Sequence, residues 1–113
     1  MTADEIEDLA FDGQELPAGL GVAETALFLM FRNLYDYAKR IRMTPEQGRR
    51  EKQKVLAEFE RMRVLEALGV QHRAMRDAAQ LRIAEFRKEP SVEAAERIIE
   101  AMDGALPREE RWI

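Results

Sequence analysis

Residues 22–47 read VAETALFLMFRNLYDYAKRIRMTPEQ, and this stretch decides the fold. Its apolar residues recur every three or four positions as far as residue 43, which predicts an amphipathic helix. The next residues have the pattern of a new helix start, with Thr44 as the N-cap, Pro45 at the first helical position and Gln47 at the capping-box position. We therefore expect one helix over residues 22–43 and a second helix that begins at residue 45.

The predicted second helix is long. Its apolar and semi-apolar residues recur at a mean spacing of about 3.4, close to the 3.5 of a coiled-coil seam. Gly69 costs about 1 kcal/mol relative to alanine, which permits a bend without requiring a break. The helix ends near residue 88, because the residue before Pro90 avoids helical angles. The seam consists of Val55, Phe59, Met62, Leu65, Leu68, His72, Met75, Ala79, Ile83 and Phe86.

The remaining segments complete an all-α prediction. Ser91 is placed to cap a third, short helix over residues 92–102, closed by Asp103 and Gly104. Residues 1–21 form an acidic, turn-rich arm with one helical turn around residues 5–11, and residues 105–113 form a tail. The expected architecture is a helical hairpin with a long second helix and a short third helix, making a helical domain over residues 22–104. The predicted core is Leu27, Met30, Leu34, Ile41, Val55, Phe59, Met62, Leu65 and Ile98.

Composition excludes several classes of protein. The chain has 113 residues, of which 46% are hydrophobic and 35% charged, so we expect one globular domain. No apolar run reaches the 20 or so residues of a membrane span, and the acidic N-terminus is unlike a secretory signal, which favours the cytoplasm. There is no cysteine, which removes disulfides, zinc-thiolate sites and thiol nucleophiles.

The charges are segregated along the chain. Residues 1–31 hold seven acids and no base, residues 32–88 hold 15 bases against eight acids, and residues 89–113 hold three bases against seven acids. This layout indicates either a basic face for an anionic partner or acidic ends that fold back against a basic middle. The second interpretation needs no partner, and we favour it.

No catalytic or metal-binding pattern stands out. His72 is the single histidine and has no carboxylate three or four residues before it, so it lacks the partners of a helical metal motif. Glu93, Glu96 and Glu100 follow one another at helical spacing, but no base, nucleophile or glycine loop accompanies them. We expect no enzyme, no cofactor and no metal.

Two kinds of partner remain. The seam from Leu65 to Phe86 is longer than the other helices can cover, so we expect exposed apolar surface that binds a protein partner or a second copy. The acidic arm is a second candidate surface. The predicted contact residues are Leu65, Leu68, His72, Met75, Asp4, Glu5 and Asp8.

The alternative is a small nucleic-acid-binding regulator that uses the basic turn between the first two helices. A cluster of bases could contact a phosphate backbone, and Tyr35 and Tyr37 could stack on bases. Interleaved acids and a sequence pI near 5.1 argue against it. Its residues would be Arg42, Arg49, Arg50, Lys52 and Lys54.

Several short stretches, taken in order, resemble small uncharacterised proteins encoded by phages and mobile elements of gut Firmicutes. The resemblance covers about residues 16–104 and implies a setting, not a reaction. It implies an accessory protein that works in a bacterial host cell by occupying surfaces of other proteins. One form of this activity is inhibition of a host defence protein in the manner of an anti-CRISPR. The stretches are LPAGL (16–20), RNLY (32–35), TPEQ (44–47) with EK (51–52), FRKEP (86–90), AAE (94–96) and MDG (102–104).

Overall fold

The computed structural model describes residues 1–71 and 73–105, apart from the side chains of residues 68–71. Within this part of the chain there are five α-helices and no strand, which confirms the all-α class. The chain divides into two compact units, Met1–Glu60 and Arg61–Ile113, and the division falls inside the third helix. The helices are α1 (Ala3–Phe11), α2 (Val22–Ile41), α3 (Pro45–Gln71), α4 (Arg73–Lys88) and α5 (Val92–Gly104).

The predicted helix starts at Pro45 and Val92 are confirmed, together with their caps. The backbone N–H of Gln47 donates to the Thr44 hydroxyl at 3.2 Å, and the Thr44 N–H donates to the Gln47 side chain at 3.0 Å. This is the reciprocal capping box. Ser91 caps α5 by accepting a 3.0 Å hydrogen bond from the backbone of Ala94.

The arm is more ordered than the sequence predicted. In place of one helical turn, α1 has nine residues, and it begins with its own capping box at Thr2. The predicted second helix is described as α3 and α4. The helix continues through Gly69 as far as Gln71, and the junction at residue 72 lies outside the described residues. Antiparallel pairing of the first two predicted helices stays a prediction.

In the first unit, α1 packs on the N-terminal half of α2. The inner face of α1 buries Ile6 and Ala10. A guanidinium N–H of Arg32, on α2, donates to the backbone carbonyl of Gln14 and fastens the loop after α1. The buried residues of α2 lie between positions 23 and 31 and are Ala23, Thr25, Ala26, Leu27, Phe28, Met30 and Phe31.

The C-terminal end of α2 forms a tight reversal. Arg42 adopts a left-handed conformation with φ of 53°, a region that favours glycine. The Met43 N–H donates to Ala38 at 2.9 Å and the Arg42 N–H donates to Lys39 at 3.4 Å. These two bonds are the Schellman pattern, which satisfies carbonyls that the helix end would leave unpaired.

In the second unit, α4 packs against α5. Asp103 of α5 is a buried acid, 1% exposed, and lies 4.0 Å from the guanidinium of Arg61 in α3. The sequence had suggested only a helix end at this position. The other buried residues of the unit are Met62, Leu65, Met75, Ala79, Phe86, Ala94, Ala95, Ile98, Ile99 and Met102.

The predicted core is confirmed in part. Ile41 was predicted to be buried and is 47% exposed, because α1 is half the length of α2 and cannot cover the far end of its apolar stripe. The buried members of the predicted core are Leu27, Met30, Met62, Leu65 and Ile98, and the half-buried ones are Leu34, Val55 and Phe59.

Candidate interaction surfaces

The helix α1 is fixed at its start by a pair of side chains. The Thr2 hydroxyl accepts the backbone N–H of Glu5 at 3.2 Å, and Glu5 accepts the backbone N–H of Thr2 at 3.2 Å. The hydrogen bond from the Thr2 backbone, and then the one from its hydroxyl, lower the pKa of the Glu5 carboxyl. The cap thus holds Glu5 as a carboxylate at the start of the helix, where the helix dipole favours negative charge.

One acid on the inner side of α1 is neutralised by the chain itself. The Tyr35 hydroxyl donates to Oε1 of Glu7 at 2.7 Å, and Nζ of Lys52 lies 2.8 Å from Oε2 of the same carboxylate. Burial, and then the bond to Glu7, raises the pKa of Tyr35. The bond to Glu7 also raises the pKa of Lys52. Glu7 therefore joins α1 to both α2 and α3.

The outer face of α1 has the opposite character. Asp4, Glu5 and Asp8 are exposed there, and Asp4 and Asp8 raise the pKa of Lys52 at longer range without contacting it directly. Phe11 lies at the C-terminal end of the same face and is 66% exposed. The outer face of α1 is therefore an acidic surface with one aromatic side chain.

Two of the predicted contact residues on the seam are buried. Leu65 and Met75 were expected on an apolar surface open to a partner, but both are 0% exposed in the isolated chain. The expected exposure of Leu65 and Met75 was wrong, because both side chains lie in the core of the second unit, where α5 packs against α4. His72 and the side chain of Leu68 lie outside the described residues.

The basic turn is partly neutralised by local acids. Lys52 contacts Glu7, Lys54 lies 3.0 Å from Glu51, and Arg50 lies 3.9 Å from Glu46. The two other candidates, Arg42 and Arg49, are exposed and form no ion pair within the described part of the chain.

The two tyrosines of this region differ in how far their rings are exposed to solvent. The Tyr35 ring packs edge-on against Phe11 and stacked against Phe31, with ring centroids 5.3 and 6.2 Å away. Tyr37 is 47% exposed, with the Arg40 guanidinium 5.6 Å from its ring centroid. Of the two tyrosines considered for base stacking, Tyr37 is the more exposed.

Comparison with known proteins yields no match. No family model, no curated protein and no solved structure matches the chain. Its surfaces therefore have to be interpreted from their own chemistry.

The carboxylates Glu93, Glu96 and Glu100 are all exposed on α5. Among residues 1–71 and 73–105, no group of three or more acids and histidines is arranged to hold a metal ion. None of the helices described for this chain combines the length and the apolar character needed to cross a bilayer.

Sequence reasoning missed Glu7, Phe11 and Gly48 as residues that shape these surfaces. Glu7 had a readable signal, since Ile6 and Ala10 are one turn apart and place Glu7 on the same side of a helix. Gly48 had none, because its neighbours Leu34 and Met43 come together only through the turn at Arg42.

Proposed function

We propose that this protein is a non-enzymatic accessory protein that acts through protein–protein contacts, and that the outer face of α1 binds a basic surface of its target. The observation that carries the proposal is the division of charge on α1. Glu7 on the inner side contacts Tyr35 and Lys52 directly, whereas Asp4 and Asp8 are exposed and act on Lys52 only at longer range.

The order of α1 supports this role. A helix that is already capped and docked on α2 loses little conformational freedom when it binds, so less of the interaction energy is spent on ordering it. Exposed carboxylates also steer a basic partner toward the helix, because electrostatic complementarity raises the association rate.

The resemblance to phage and mobile-element proteins supplies the setting of the proposal. The target would be a protein of the bacterial host cell, and the protein would work in the cytoplasm. A host defence nuclease is a suitable class of target, because its nucleic-acid groove is basic and attracts acidic surfaces. Inhibition in the manner of an anti-CRISPR is the specific form that we propose.

The test is charge reversal with a matched control. The Asp4→Lys, Asp8→Lys variant reverses the proposed surface, and the Glu96→Lys, Glu100→Lys variant makes the same change in net charge on α5. Targets are captured from a host lysate with the wild-type protein and both variants, and the dissociation constant of each purified target is then measured. We expect the α1 variant to bind at least tenfold more weakly, about 1.4 kcal/mol, and the α5 variant to bind as the wild type does.

A target that binds the α1 variant as tightly as the wild type would overturn the assignment of the surface. A turnover on any substrate that disappears when Glu93, Glu96 and Glu100 are replaced together by glutamine, with the fold intact, would overturn the non-enzymatic role.

The second candidate is nucleic-acid binding at the basic turn, favoured by the unpaired and exposed Arg42 and Arg49. Fluorescence anisotropy with labelled single- and double-stranded DNA at low salt tests it. Binding that falls steeply with salt and disappears in Arg42→Glu, Arg49→Glu would establish this function. The absence of any anisotropy change at low salt would remove it.

A further inference from the structure

A groove of about 310 Å³ lies at the corner between α2 and α3 in the first unit. Its floor is apolar and is formed by Leu34, Ala38, Met43 and Pro45. This volume is at the lower limit of small-molecule pockets, which suits one side chain better than a cofactor.

Gly48 lines this groove from within α3, and none of the described residues around it requires a glycine there. It does not have a positive φ, and a Cβ built on it would have the Met43 sulfur, 4.0 Å away, as its nearest neighbour. Alanine would fit and would favour the helix by about 1 kcal/mol. What glycine contributes is space, since any side chain at this position would enter the groove.

The rim of the groove is cationic. Lys52 is held by Glu7, but Arg49 is exposed and forms no ion pair with any described residue. No acid is among the described residues that line the groove. The complementary group is therefore an apolar side chain with a carboxylate beside it.

The chain itself presents such a group. Phe11 is 66% exposed, and it is followed by Asp12, an exposed residue whose carboxylate has no partner among the described residues. Phe11 also packs edge-on against Tyr35, and Tyr35 is one of the residues that line the groove. The aromatic side chain and the groove are thus neighbours on one surface of the first unit.

We propose that a second copy of this chain occupies the groove, inserting its Phe11 over Gly48 and placing its Asp12 against Arg49. Because the inserted group and the groove are adjacent, a twofold axis makes the same contact twice. The proposal goes beyond target binding, which we assign to Asp4 and Asp8 on the outer face of α1. Asp4 lies seven residues before Phe11, about 10 Å along the helix.

The experiment measures the mass of the full-length protein by sedimentation equilibrium up to its solubility limit. We expect a reversible dimer whose dissociation constant rises at least tenfold in Phe11→Ala and in Gly48→Leu. Leu81→Ala is the matched control, since Leu81 is also 66% exposed but lies in the second unit, and it should leave the dissociation constant unchanged.

Mixing the two weakened variants makes the test sharper. Phe11→Ala keeps the space at Gly48 and Gly48→Leu keeps Phe11, so the mixture should form a heterodimer, seen by native mass spectrometry, that is tighter than either variant alone. In the same way, Asp12→Arg combined with Arg49→Glu in one chain should recover the association that each single change weakens.

Two results would overturn the proposal. A monomer at every concentration would exclude a second copy and leave the groove to an acidic segment of another protein. A dimer that is unaffected by Phe11→Ala and Gly48→Leu would place the contact elsewhere. Neither result bears on the α1 target, whose binding is tested with Asp4 and Asp8.

Discussion

The Tyr35 hydroxyl lies 2.7 Å from Oε1 of Glu7, a residue 28 positions earlier in the chain. This hydrogen bond fixes α1 to α2, and the contact of Lys52 with the same carboxylate extends the connection to α3. The acidic arm is therefore folded and packed as part of the first unit. Glu7, on its inner side, links the three helices, whereas Asp4 and Asp8 on its outer side are exposed.

Removing the Tyr35 hydroxyl should loosen α1. Tyr35→Phe leaves the Glu7 carboxylate half-buried with one partner fewer, which should cost about 1–2 kcal/mol. Amide hydrogen exchange at Ile6 and Ala10 should become faster, while exchange in α5 should not change. Tyr37→Phe is the control, and equal effects of the two changes would contradict the role of this hydrogen bond.

The same contact predicts a loss of stability at alkaline pH. The pKa values of Tyr35 and Lys52 are raised in the folded protein above their ordinary values of 10.0 and 10.5. A raised pKa means that the folded state keeps its proton where the unfolded state releases it. The stabilisation by these two groups is therefore complete below pH 10 and is lost as the pH rises through their pKa values in the folded protein.

Urea unfolding at a series of pH values between about 9 and 12 measures this dependence, and ultraviolet absorbance of the phenolate in a Tyr37→Phe background reports Tyr35 alone. Glu7→Gln should flatten the alkaline decline, because it removes the charge that both groups contact. If the free energy of unfolding of Glu7→Gln fell with pH as steeply as that of the wild type, the role of Glu7 in the alkaline decline would be refuted.

The capping box at the start of α3 should be measurable by a single substitution. Thr44→Ala removes the acceptor of the Gln47 N–H and should lower the free energy of unfolding by about 1 kcal/mol. Thr44→Ser keeps a hydroxyl at the same position and should retain most of the stabilisation by the cap. Comparing the two variants by thermal unfolding separates the cap from a general effect of replacing an exposed residue.

The left-handed residue at the end of α2 offers a stabilising change. Arg42→Gly and Arg42→Ala both remove the charge, but only glycine adopts a positive φ without a steric cost. We expect the glycine variant to be the more stable of the two by about 1 kcal/mol in urea unfolding. An alanine variant of equal stability would show that the φ of 53° carries no strain.

The seam residue Met75 should behave as part of a core. Its burial is complete, so Met75→Ala should destabilise the second unit by about 3 kcal/mol. Leu81→Ala, on the same helix but 66% exposed, should change stability by no more than about 0.5 kcal/mol. A Met75 variant that unfolds like the wild type would restore the surface that the sequence had suggested.

The sequence by itself determined the helical class and the positions where α2, α3 and α5 begin. These features depend on neighbours within one or two turns, such as Thr44 with Gln47 and Ser91 with Ala94, so a local pattern is enough to predict them. It also determined the segregation of charge, and the pairs of Glu7 with Lys52 and of Asp103 with Arg61 agree with acidic ends that fold back against a basic middle.

Only the tertiary structure decided which side chains remain exposed. The periodicity of the seam shows that Leu65 and Met75 share an apolar character, but burial depends on which other helix packs against them, and no local pattern specifies that. The arm shows the same limit, since Asp4 and Glu7 are both acids of one short helix. The fold brings Tyr35 and Lys52 from distant parts of the chain into direct contact with Glu7, whereas Asp4 stays exposed.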